Sequence, residues 1–148
     1  EDGFNMITRS KDNNFIAVGY SGSFFSKGMK DVLMVKIDSL GNKMWMNLYG
    51  GKSDDIANSV FECKDSGFAI VGESKSFGSG KNDILILKTN SNGVQKWKNT
   101  IGGKGVDIGR SIEELPKGGF IVSGTSTISN LSFDSILIKT DKKGKTSN

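Results

Sequence analysis

Residues 31–45 read DVLMVKIDSLGNKMW, and the phrase returns as NDILILKTNSNGVQKW at 82–97 and again as DSILIKTDKKGKTSN at 134–148. Each version has an aspartate at or next to its start (Asp31, Asp83, Asp134) leading into a short apolar run, passes a glycine turn (Gly41, Gly93, Gly144) and, in the first two, reaches Trp45 or Trp97 four residues later. The third has Asn148 where the tryptophan is due. Working outward, Phe15, Phe68 and Phe120 each open a second run, FIAVGY, FAIVGE and FIVSGT, while YGGKSDDI and IGGKGVDI join one unit to the next. The chain is therefore three copies of one unit of about 52 residues, and such internal periodicity ranks above every other sequence signal.

Each unit reads as four strands, A to D. Strand A is NSVFEC in the second unit and RSIEEL in the third; the turns KDSG and PKGG lead to strand B. An eight-residue stretch such as SFGSGKND leads to strand C, and the turn NSNG to strand D with its tryptophan. Apolar residues at successive positions in ILIL and FAIV require cover on both faces of strands B and C, whereas KWKNTI alternates as an outer strand does. Small antiparallel sheets buried on both faces by neighbours of their own kind are the blades of a β-propeller. The fold class is thus all-β, with blades at 1–51, 52–103 and 104–148, the last lacking its outer strand; a β-trefoil, also three four-stranded repeats, is the alternative.

The strand B runs ending in glycine, the aspartate before strand C and the tryptophan on the following strand resemble kelch-type blades. DSLGNKMW is similar to the tryptophan-docking repeats of quinoprotein-dehydrogenase-like propellers, short by one residue in the turn. The phrase G-G-x-x-x-D followed by G-G-F-x-x-x-G resembles bacterial and archaeal β-propeller repeat proteins. The resemblance covers the whole chain and implies a surface-associated propeller with no particular activity attached. Trp45 and Trp97 are expected to wedge between adjacent blades; burying ~200 Å² of indole at ~25 cal/mol/Å² sets an upper bound of about 5 kcal/mol each. Gly72 and Gly124 are expected to be turn and close-packing glycines, not a phosphate cradle, since no helix follows to present its N-terminus.

Composition narrows the function classes. The 148 residues hold 20 lysines and arginines, of which only Arg9 and Arg110 are arginine, and no histidine. Scattered lysine on strand faces does not make a nucleic-acid reader, which clusters arginine beside aromatic platforms. The absence of histidine removes His-based triads and most zinc sites, and Cys63 alone forms no intrachain disulfide and has no base to activate it. No apolar run is long enough to span a membrane as a helix. The expectation is a non-enzymatic module with no cofactor and no metal, extracellular or at the cell surface, used for protein or glycan contact or as an assembly unit. The competing expectation is part of a channel-centred enzyme or a cation-dependent lectin completed by further blades.

A ligand site belongs on the face carrying the longer connections, 22–31, 76–83 and 126–134, together with GGKSDD and GGKGVD. The candidates are Asp54, Asp55, Lys81, Asn82, Asp83, Asp107 and Asp134, with Asp2, Asp31, Lys27, Lys30, Lys52 and Lys104 beside them. Recurrence of the aspartates at strand starts favours hydrogen bonds to loop N–H groups over cation binding; the adjacent pair Asp54–Asp55 recurs least and is the better ligand candidate. The opening EDGFN without Met, and three blades where a ring needs four or more, point to a piece of a longer propeller or to a homo-oligomer in which another copy supplies the missing blades. An unpaired edge along ILIK of the third blade is expected to favour such association.

Overall fold

The computed structural model describes residues 1–23, 29–129 and 132–146; Lys27 and Asn148 lie outside them. The described residues are all-β. The first sheet orders β1(Asp2–Arg9), β2(Phe15–Ser21), β3(Asp31–Ile37) and β4(Lys43–Tyr49) as an antiparallel meander. The second repeats it with β5(Asp55–Glu62), β6(Phe68–Ser74), β7(Asp83–Thr89) and β8(Gln95–Ile101). The third has β9(Asp107–Glu114), β10(Phe120–Ser129) and β11(Ser132–Thr140). A trefoil would have its repeats share one closed barrel. Here the three sheets are separate, one per repeat.

Two details differ from the sequence expectation. Strand A starts three residues earlier, at Asp55 and Asp107, than the runs NSVFEC and RSIEEL place it. A β-bulge explains the discrepancy: the register slips between Ala57 and Ser59 in the second sheet and at the equivalent place in the other two. The extra residue breaks the two-residue alternation, so the strand's first turn of pattern is out of phase with the rest. The second difference is the stretch 126–134, expected as a loop. Strand pairing there continues past Thr127–Phe133 to Ser129–Ser132. The second-unit counterpart SFGSGKND holds glycines at positive φ, Gly78 and Gly80, and leaves the ladder early; the third has β-branched residues instead, which suit a pleat.

The bulge also explains Gly19, Gly72 and Gly124. Each lies where strand A crowds strand B, and a Cβ on Gly72 would fall on the Ile56 carbonyl oxygen; Gly19 and Gly124 face Gly3 and Ile108 in the same way. The bulged residue itself, Asn5 or Asn58, is turned toward the next sheet.

The core lies between sheets. Ile16, Val18, Val32 and Met34 of the first pack against Val60, Phe68, Ile70, Leu85 and Leu87 of the second. The opposite face of the second sheet, with Ala69, Val71, Ile84 and Ile86, packs against Ile112, Phe120 and Val122 of the third. Strands β1, β5 and β9 touch in succession. The second sheet is thus covered twice, and every residue of β7 is buried.

Candidate functional site

Two kinds of place repeat: the junction where strand D meets the next sheet, and the end where strands A and C begin. At the first junction Trp45 lies edge-on to Phe68, centroids 6.4 Å apart. At the second Trp97 meets Phe120 at 5.8 Å. Each indole also lies against the C-to-D turn of the next sheet. A Cβ on Gly93 would stand 2.9 Å from Trp45 Cζ3, and one on Gly144 2.5 Å from Trp97 Cζ3. Both glycines have positive φ and are buried; Gly41, the first-unit equivalent, has φ 88° but is exposed, with open space around it. The indoles are half-buried rather than enclosed, so each contributes less than the upper bound of full burial.

Hydrogen bonds follow the same register. Asn5 Nδ2 donates to the Ala57 carbonyl at 2.8 Å and Asn58 Nδ2 to that of Gly109 at 2.9 Å. The backbone N–H of Lys11 donates to Glu62 at 2.7 Å and its ammonium to the Cys63 carbonyl. Lys64 repeats this with Glu114 and the Pro116 carbonyl. The Tyr49 hydroxyl donates to the Gly93 carbonyl at 2.5 Å, and burial raises its pKa. Within sheets one and two a buried lysine is neutralised across the A-to-B turn: Lys36 by Asp12 at 2.5 Å, Lys88 by Asp65 at 2.9 Å. Burial alone would raise the Asp65 pKa, but bonds from Lys88, Lys96 and the Gly67 N–H more than offset it and hold it at about 2. Burial pushes the Cys63 thiol up to about 11, leaving it un-ionised and weakly nucleophilic.

At the loop end, the strand A aspartates bind a strand B serine in all three repeats. Ser21 Oγ donates to Asp2 and Ser74 Oγ to Asp55, both at 2.5 Å, and Ser126 Oγ to Asp107. The other carboxylate oxygen accepts the N–H of the second glycine in the joining phrase, Gly51 to Asp55 and Gly103 to Asp107, both at 2.8 Å. The first glycine makes room for a strand C carboxylate: a Cβ on Gly50 would strike Asp31, and one on Gly102 would strike both Asp83 and Asp107. The G-G-x-x-x-D phrase is a hinge built around two acidic side chains.

The candidate residues separate accordingly. Asp55 and Asp107 are buried and committed to serine and glycine. Asp83 is buried near Asp107, and desolvation followed by that like charge raises its pKa. Lys81 is exposed, and its backbone N–H donates to the Gly105 carbonyl at 3.1 Å. Asn82 bonds Glu73 through its amide and forms a parallel bridge with Val106, across the second junction. Asp54 pairs with Lys75 at 2.8 Å, while its Oδ1 has no hydrogen-bond partner among the described residues. Asp134 is exposed on β11. The structure therefore gathers Lys81, Asn82, Asp83 and Asp107 at the second junction; Asp55 and Asp134 stand in register with the strand B serines Ser74 and Ser126 beside it, and Asp54 is drawn off by Lys75. No group of three or more Asp, Glu, Cys or His suited to a metal ion occurs among the described residues.

Sequence inspection missed the serine partners and the Lys11–Glu62, Lys64–Glu114, Lys36–Asp12 and Lys88–Asp65 pairs. Their signal was present, since each partner recurs one repeat later, but recurrence of a polar residue reads as a solvated surface until its partner is known. Compared with known proteins, the chain matches no family model and no curated sequence.

Proposed function

We propose that the three sheets are consecutive blades of a β-propeller, and that the chain serves as a non-catalytic module of a secreted or cell-surface protein. Its task is to build a rigid rim that presents loops to a protein or glycan. The supporting observation is the duplicated junction, in which strand D lays an indole on the next unit's turn glycine and strand B phenylalanine. Such a joint serves adhesion between like sheets. The strand A aspartates of the loop end, Asp55 and Asp107, are spent on the chain's own N–H and hydroxyl groups, which favours this reading over a cation-dependent lectin.

Small-angle scattering from the purified chain tests it. The expected profile is that of a fan, with the first strands close together and the outer strands splayed. Sheets stacked in parallel at about 10 Å would overturn the proposal.

A further inference from the structure

The two internal junctions define what the outward faces of the first and third sheets would require of a neighbour, and both faces depart from that pattern. At both junctions a lysine on the A-to-B turn (Lys11, Lys64) donates to a glutamate ending the next strand A (Glu62, Glu114). The open face of the first sheet has Arg9 at the glutamate position, and the third sheet has Pro116 at the lysine position. Proline has neither N–H nor ammonium to offer, so this end needs no carboxylate opposite. An ordinary repeat set against the first sheet would bring its lysine onto Arg9, a like-charge contact.

A second exchange accompanies the first. A groove of about 330 Å³ runs along the A strands of all three sheets; at the first junction Thr8 and Lys11 line it opposite Val60 and Glu62, and Ile112 and Glu113 line it on the third sheet. Glu113 is the third-sheet equivalent of Thr8, on the outward face of β9, because Ile112 beside it faces the second sheet. Carried one repeat on, Glu113 would stand opposite Arg9. Likewise Arg110 occupies the bulge position of Asn5 and Asn58, and carried on it would donate to the Phe4 carbonyl. Arg9, Arg110 and Glu113 are exposed, and their side chains make no hydrogen bond or ion pair among the described residues. Phe4 and Ile7, 57% and 59% exposed, share the open face with Arg9; Leu137, 73% exposed, shares the outward face of the third sheet with Glu113.

Resting on the propeller reading, we propose that the partner is a second copy of this chain, bound head to tail. The outward face of the third sheet of each copy covers the open face of the first sheet of the other. Two identical junctions then close a six-sheet ring about a twofold axis, each joined by Glu113 to Arg9 and by Arg110 to the Phe4 carbonyl. Charge complementarity selects this docking over the addition of an ordinary repeat.

Sedimentation velocity on the full chain tests the assembly. The native chain should run as two copies, and Arg9→Glu or Glu113→Arg alone should weaken association at least tenfold. Circular dichroism should show both variants folded, as both side chains are exposed and unbonded. The double variant should recover the native assembly, and so should an equimolar mixture of the two single variants, because every junction in the mixed ring pairs opposite charges. A native chain that stays single at all concentrations overturns the two-copy ring while leaving the fan in scattering intact. Failure of the mixture to associate overturns the head-to-tail arrangement.

Discussion

Strands β7 and β11 carry nearly the same letters, DILILKT and DSILIKT, yet live in different surroundings. All seven residues of β7 are buried, whereas on β11 Asp134, Ser135, Leu137 and Lys139 are exposed and only Thr140 is buried. β7 has β8 beside it and a sheet against each face; β11 is an edge strand covered on one face. Burial here belongs to the neighbourhood and not to the strand. Chemistry has moved with it: Lys88 of β7 is buried and paired with Asp65, while the equivalent Lys139 is exposed and Lys117 stands at the aspartate's position. A carboxylate is kept where an ammonium would otherwise be desolvated, and dropped where water does the work.

Mutations at matched positions sharpen the contrast. The largest effect is expected from Trp97→Ala, about 3 kcal/mol by loss of transfer energy and creation of a cavity over Phe120. Leu137→Ala, on the face left open in the dissociated chain, should stay within about 0.5 kcal/mol when measured on single copies at low concentration. Urea titrations of both variants decide it, and equal losses would break the comparison between covered and open faces. Next come the turn glycines. Both Gly93→Ala and Gly41→Ala place a side chain at positive φ, a cost of about 1 kcal/mol. Only at Gly93 does the new methyl also meet Trp45, adding roughly 1 to 3 kcal/mol by overpacking. Thermal melts of the pair should therefore differ; coincident melts would remove the turn from the junction.

The smallest effect is electrostatic. The Asp65 carboxyl is held at about 2 in the fold, against about 3.9 in an unfolded chain. A depressed carboxylate stabilises the fold above the unfolded value, and that contribution disappears as pH falls from about 4 to about 2. The side chain is nearly half exposed, so a few tenths to about 1 kcal/mol is expected at neutral pH. Asp65→Asn should lower the neutral melting temperature slightly and flatten its acid limb, while Lys117→Asn should leave that limb unchanged. An unaltered limb in Asp65→Asn would remove the buried pair as its cause.

Much of the fold was legible in the sequence because it is written three times. Apolar runs at Phe68 and Asp83, and turn glycines four residues before each tryptophan, located strands and turns with few misplacements. What escaped was pairing. Nothing in Ser74 alone says that Asp55 needs its hydroxyl, nor in Gly102 that two carboxylates meet over it. The bulge at Asn58 hid the start of strand A because it shifts alternation by one residue. The loop-end aspartates were found by recurrence, but whether a carboxylate faces a ligand or its own backbone depends on atoms contributed from other strands.

The joint at each indole has a direction, since one side of a sheet offers a ring and the other a bare turn to receive it. Both halves are written within a single unit of the gene. Unequal crossing-over that duplicates or removes the second unit, which carries both halves, would leave every joint correctly mated, so an array of this kind can change its size in one genetic step without passing through a misfolded ancestor.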